Sequence, residues 1–168
     1  NDKFRDTNPF TGTALEPTGF HATAVGFSVP AGDSLPSLNL SRVYVLTSED
    51  TCSASESLIN GLRGINVEVI LVGGNTCGKP YGFYPADNCG TTYFSIQMRG
   101  ENAVGFGDYS DGFAAADDPA APGVKVPGCA VEDDLTHALG DAGEAMLGAA
   151  LQYRQTGECP MVMASRHA

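Results

Sequence analysis

The residues of this chain that could do chemistry collect in two short stretches. The first is Thr51-Cys52-Ser53-Ala54-Ser55-Glu56, and the second is Gly73-Gly74-Asn75-Thr76-Cys77-Gly78-Lys79-Pro80. A serine hydroxyl is a weak nucleophile until a neighbouring base takes its proton. The histidines are His21, His137 and His167, and none stands in a motif that would supply that base. A lysine can serve where burial favours its neutral form. Lys79, set among Gly, Pro and aromatic residues, is the candidate, and a dry pocket around it is expected. Each stretch also has a plainer reading. Ser53-x-x-Glu56 is the spacing of a helix capping box. Gly73 to Lys79 matches the start of a phosphate-binding loop, G-x-x-x-x-G-K. Pro80 stands where that loop needs Ser or Thr, and Tyr81-Gly82-Phe83-Tyr84-Pro85 is poor helix material, so nucleotide binding is disfavoured.

The surrounding pattern supplies elements to hold the two stretches. Val43 to Thr47 is a nearly continuous apolar run, as a strand buried on both faces would be. Residues 53–63 have helical spacing, with Ala54, Leu58, Ile59 and Leu62 on one face and Gly64 closing the helix. Val67 to Val72 is a second β-rich run. Strand, helix and strand in this order predict a right-handed βαβ unit with parallel strands, inside an α/β fold. In such a sheet the carboxyl ends of the strands carry the sites. Ser53 and Lys79 each follow one of these strands, so their loops should be neighbours. First-turn amides of the helix behind Ser53 could hold a developing oxyanion.

The rest of the chain is less regular. Residues 1–40 are rich in turns, with strand character only from His21 to Val29. Thr91 to Met98 alternates as a strand would. Residues 105–130 read as an irregular loop, mobile from Ala114 to Pro127, and 133–153 as two helices broken at Gly140. The net charge of −11 excludes a phosphate-backbone partner. Apolar residues make up 42%, enough for a core and against global disorder. No apolar run approaches the roughly 18–20 residues that span a bilayer. Asp108, Asp111, Asp117 and Asp118 lack the D-x-[DN]-x-[DN]-G spacing of a calcium loop. Cys52, Cys77, Cys89, Cys129 and Cys159 lack the close C-x-x-C pairs of a zinc site. Scattered cysteines in an acidic, Gly-rich chain suggest an oxidising compartment.

Taken together, the stretch from Arg42 to Phe83 resembles the carboxyl-terminal processing, or tail-specific, serine peptidases. The resemblance rests on Ser53-Ala54-Ser55-Glu56 after one strand and Thr76-Cys77-Gly78-Lys79 after the next. It is specific over this stretch and looser through Gly107-Asp108-Tyr109 and the Leu139-Gly140-Asp141 segment. It implies a ClpP/crotonase-like α/β fold, with a βαβ core (42–100), a loop (105–130) and carboxyl-terminal helices (133–153). It implies Ser53 as nucleophile, Lys79 as base, the Ala54 N–H as an oxyanion donor, and no metal or cofactor. The partner would be a protein or peptide substrate, and the location periplasmic or secreted.

Two departures qualify the likeness. Many members carry glutamine four residues after the lysine, where this chain has Phe83. A catalytically inactive peptide-binding or scaffolding module of the same fold is therefore the alternative. The family's catalytic domain also begins upstream of the region matched. Residues 1–168 are thus expected to be the carboxyl-terminal part of one peptidase domain, completed by an upstream half or by self-association. Among the cysteines, Cys89 is expected to pair with Cys129. Cys52 and Cys77, each close to one member of the dyad, form a second candidate pair.

Overall fold

The computed structural model describes residues 6–161. The chain divides into two compact units, Ser41–Tyr81 with Arg99–Ala168, and Asn1–Leu40 with Gly82–Met98. The first unit opens with β1 (Arg42–Thr47), α1 (Ala54–Gly64) and β2 (Glu68–Gly73). β3 (Tyr81–Gly82) and β6 (Met98–Arg99) form a short pair where the chain passes from one unit to the other. Between them lie β4 (Ala86–Asn88) and β5 (Thr91–Tyr93), an antiparallel pair. The first unit then resumes with β7 (Phe113–Ala115), β8 (Val124–Val126), β9 (Gly128–Cys129) and α2 (Ala145–Thr156).

The sheet that matters has the order β1-β2-β9. β1 and β2 run parallel, in register from Arg42 opposite Glu68 to Thr47 opposite Gly73. β2 and β9 are also parallel, with Leu71 opposite Gly128 and Val72 opposite Cys129. β2 is therefore central, and its alternating side chains feed two cores. Val69 and Leu71 pack with Ile59 of α1 and with Tyr109, Phe113, Ala115 and Val126. Ile70 and Val72 pack on the other side with Cys129 and with Ala149 and Ala150 of α2. This helix–sheet–helix layering explains why β2 is a continuous apolar run. The predicted strand–helix–strand unit and the α/β class are thus present.

Several expectations are corrected. β1 is an edge strand rather than one buried on both faces, and Leu46 is exposed. Only Ile59 and Leu62 of the predicted apolar face of α1 pack into the core; Ala54 and Leu58 are exposed. Residues 105–130 are not simply a loop. Phe113, Ala114, Ala115, Val126 and Cys129 are buried, and β7 pairs parallel with β8. The helix expected from Asp133 to Leu139 is absent. There Asp134 Oδ1 accepts from both the Thr136 N–H and its hydroxyl, a local pattern that competes with helical bonding. Asp141 Oδ1 likewise accepts from Gly143 N–H. The helix starts only after Glu144, whose carboxylate caps Met146 N–H and Leu147 N–H at 2.8 and 2.7 Å. His21 to Val29 forms no strand; Thr23 makes an isolated bridge to Ser34. Thr91 to Met98 is strand only at its ends.

Candidate active site

β1 and β2 end side by side, and the loops that leave them are laced together. Gly74 N–H donates to the Thr47 carbonyl at 2.9 Å, and the Thr47 hydroxyl donates to the Gly74 carbonyl at 2.8 Å. Cys77 N–H donates to the Thr51 carbonyl at 3.1 Å. A disulfide joins Cys52 to Cys77, the candidate pair beside the dyad. The other expected pair is not formed. Cys129 is bonded to Cys159, and Cys89 is a free, exposed thiol. The reason is spatial. Cys129 ends β9 in the core beneath α2, and the chain returns past it after that helix.

Glu56 ties the two loops most tightly. Its side chain is fully buried. Oε2 accepts from Ser53 N–H at 3.1 Å and from Lys79 N–H at 2.7 Å. Oε1 accepts from Gly78 N–H at 2.7 Å and from the Thr76 hydroxyl at 2.6 Å. Thr76 is itself buried, and its oxygen accepts from Phe113 N–H at 2.8 Å. A buried carboxylate with four donors is well compensated, and each such bond contributes about 1.5–3 kcal/mol. The backbone amides of Ser53 and Lys79 thus share one oxygen as their acceptor. The glycine between them in the second motif is also required. Gly78 has φ 81°, and a Cβ there would lie 2.1 Å from the Ser110 carbonyl oxygen.

Ser53 precedes α1 with φ 53° and ψ −106°, a conformation rarely adopted by residues with a side chain. Such strain costs about 1–3 kcal/mol and persists only where the surroundings over-determine it. Here the Glu56 bond on its own amide and the Cys52–Cys77 bridge beside it do so. Ser57 N–H closes the first helical bond onto the Ser53 carbonyl at 2.8 Å, and Ser55 N–H donates to the Cys52 carbonyl. Among the described residues, Ala54 N–H has no acceptor, which leaves it available to a ligand.

Ser53 and Lys79 are both exposed, so the expected dry pocket around the lysine is not present; the neighbouring Pro80 is the buried residue. Among the described residues, the Lys79 ammonium has no ion-pair partner. Phe83, in the other unit, packs edge-on against Phe94 with ring centroids 5.3 Å apart. His137 pairs with Asp134 at the surface, and His167 lies outside the described residues. Among the described residues, the group of Asp117 with Cys129 and Cys159 has metal-like spacing but is a carboxylate beside a disulfide. Its sulfurs are not thiolates, and Asp117 accepts from Ala130 N–H at 2.7 Å.

The sequence reading treated Glu56 as a helix cap and Thr76 as part of a motif. The structure shows them as the buried hub. The available signal was a carboxylate placed to meet the orphan amides of two loops at once. Tyr109, buried next to that hub and stacked on Phe113, has its phenol pKa raised by burial and then by the Glu56 charge. A cavity of about 860 Å³ opens beyond the ends of β2 and β9. Gly74, Asn75, Ala115, Ala130, Val131 and Glu132 are among the residues lining it.

The α/β sheet thus carries two laced loops at its carboxyl edge, where sites of such sheets lie, and one of them is led by a strained serine. The chain is similar to a putative S41 protease from Bacteroides fragilis, at 28% identity and a TM-score of 0.57. The match covers 72% of this chain and 29% of that one. This supports a peptidase family of the carboxyl-terminal processing type. Neither a protein-family model nor a curated protein matches the chain. No helix among the described residues is long and apolar enough to cross a membrane.

Proposed function

We propose that this chain carries the nucleophile and base of a serine peptidase with a ClpP/crotonase-like catalytic domain. The observation that supports it best is the shared Glu56 oxygen, which brings Ser53-Ala54-Ser55-Glu56 and Thr76-Cys77-Gly78-Lys79 into one buried hydrogen-bond cluster. In this reading Ser53 Oγ attacks the peptide carbonyl while Lys79 takes its proton. Lys79 returns the proton to the leaving amine, and water then releases the acyl-enzyme. The free Ala54 N–H donates to the oxyanion. Glu56 touches neither substrate nor reacting atoms and acts as a positioning residue.

Lys79 is exposed, and general-base catalysis by a lysine needs a dry setting, so this reading includes further polypeptide over Lys79, from an upstream segment or a second copy. The 29% share of the Bacteroides protein that is matched is in keeping with a larger catalytic domain. Two disulfides favour a periplasmic or secreted setting. The second reading, a peptide-binding or scaffolding module without turnover, is favoured by one observation, Phe83 in place of glutamine.

A fluorophosphonate probe tests the proposal, on this chain alone and with an upstream segment supplied. Ser53 should be labelled, faster with the segment present. Ser53→Ala should abolish labelling, and Lys79→Ala should slow it by about 10²–10⁴-fold, the range for a lost general base. Failure to label Ser53 in either form leaves the module without turnover as the correct reading. Rapid Ser53-dependent proteolysis by the chain alone, as a monomer, overturns the need for further polypeptide.

A further inference from the structure

We propose that the Cys52–Cys77 disulfide is a redox-sensitive positioning device, holding Ser53 and Lys79 in register when oxidised and releasing them when reduced. The inference rests on the reading of Ser53 and Lys79 as nucleophile and base. Its own support is the place of the bridge. Cys52 immediately precedes the strained Ser53, and Cys77 stands two residues before Lys79. The bridge therefore crosses between the two loops at the level of the site, with its Cα atoms 5.3 Å apart. The second disulfide ties β9 to the chain after α2 and does not bridge the two loops.

Two features make this bridge a switch rather than a staple. The first is access. Cys77 is exposed and Cys52 half-buried, whereas in the second bridge Cys129 is fully buried and Cys159 half-buried. Thiol–disulfide exchange needs an attacking thiolate to reach a sulfur, so a dithiol meets the Cys52–Cys77 bond first. The second is chemistry. Cys77 Sγ lies 3.8 Å from Glu56 Oε2, the oxygen that accepts both the Ser53 and Lys79 amides. A disulfide sulfur carries no proton and leaves that oxygen to the two amides. Reduction breaks the S–S bond with two electrons from a dithiol, which closes to its own cyclic disulfide. Its two protons pass to Cys52 and Cys77, which become thiols. The Cys77 S–H is then a new donor beside Oε2, and its thiolate would be a like charge there. Either form competes with the arrangement that keeps Ser53 in its strained conformation. The Glu56 bonds to Thr76 and Gly78 do not pass through the bridge, so the sheet and α1 stay folded while the two loops loosen.

The test compares the rate of fluorophosphonate labelling at Ser53 in oxidised and dithiol-reduced protein, together with amide hydrogen exchange at Ser53 and Lys79, the two amides on Glu56 Oε2. Every form carries Cys89→Ser, so that the exposed thiol cannot exchange. Reduction should slow labelling by about 10²-fold, the cost of roughly 1 Å of misplacement. Reoxidation should restore it, and exchange at both amides should quicken on reduction while circular dichroism stays unchanged. Cys129→Ala/Cys159→Ala should keep the redox response. Cys52→Ala/Cys77→Ala should be slow and indifferent to the dithiol; if that variant fails to fold, reduced and alkylated protein takes its place. Unchanged labelling and exchange, with mass spectrometry showing Cys52 and Cys77 reduced, would overturn the proposal. So would a redox response that survives without the two cysteines. If oxidised protein never labels at Ser53, the peptidase reading fails separately. Amide exchange then decides the lock: faster exchange on reduction supports it and unchanged exchange overturns it.

Discussion

The two compact units are held together by different means. The unit of Ser41–Tyr81 with Arg99–Ala168 buries apolar side chains on both faces of β2, and it buries Glu56 and Thr76 with their hydrogen bonds made. In the unit of Asn1–Leu40 with Gly82–Met98, Ala24 is the buried apolar residue among those described, while Phe27, Leu38 and Ile96 are largely exposed. That unit relies on turns, such as the Asn8 side chain accepting from Phe10 and Thr11 amides, and on the aromatic pairs Phe10–Tyr84 and Phe83–Phe94. Both units contain non-glycine residues at positive φ, but Ser53 has its amide fixed by a buried carboxylate, whereas Phe27 of the turn-based unit is fully exposed. The candidate chemistry accordingly sits in the first unit.

The sharpest way to break this contrast is to remove the hub. Glu56→Ala leaves three amides and the Thr76 hydroxyl without their acceptor in a buried space. The expected loss is about 3–5 kcal/mol of unfolding free energy, read by urea denaturation. Glu56→Gln keeps one carbonyl oxygen but turns an NH₂ toward the remaining donors, so it should lose somewhat less. A loss below about 1 kcal/mol for Glu56→Ala would show that the hub organises nothing.

A smaller effect sharpens the comparison between cores. Leu71 is fully buried in the sheet, and Leu71→Ala should cost about 2–5 kcal/mol. Phe27 is fully exposed, and Phe27→Ala should stay within about 0.5 kcal/mol despite the larger side chain removed. If Phe27→Ala is as damaging as Leu71→Ala, that aromatic surface is already covered in solution, and sedimentation should then show association.

How far the sequence foretold this follows the same division. β1, α1 and β2 were readable because each is long enough for its period to show, and because β2 is apolar on both faces. β7, β8 and β9 were hidden because they are two or three residues long, which is too short for any alternation to register. The missing helix at Asp133 to Leu139 went unforeseen because Asp134 bonds its own neighbours, a local competition that helical spacing does not reveal. In the site, the motif order placed Ser53 and Lys79 on adjacent loops. The partners of Glu56 stand 20 to 23 residues away, apart from Ser53, so only the three-dimensional register of β1 on β2 brings them to one carboxylate.

The finest test concerns pH and the surroundings of the hub. Tyr109 is buried beside Glu56, and both its burial and the negative charge of that carboxylate oppose ionisation of the phenol. Its pKa in the folded chain therefore lies above the ordinary value of about 10. The folded state holds the phenol proton to higher pH than the unfolded state does, so between the two pKa values it binds more protons. Stability contributed by Tyr109 is then complete below about pH 10 and declines as pH rises through the raised value. Denaturation midpoints measured from pH 8 to 11 should fall at the alkaline end. Tyr109→Phe keeps the stacking on Phe113 and removes the titrating group, so its alkaline decline should be shallower by the share Tyr109 contributes. Glu56→Gln should leave the onset in place and make the decline slightly smaller, ending at a slightly lower pH, because burial is the larger cause and the carboxylate the smaller. Identical alkaline profiles for the wild type and Tyr109→Phe would mean that the phenol ionises as freely in the folded chain as in the unfolded one. The hub's surroundings would then be wetter than this packing implies.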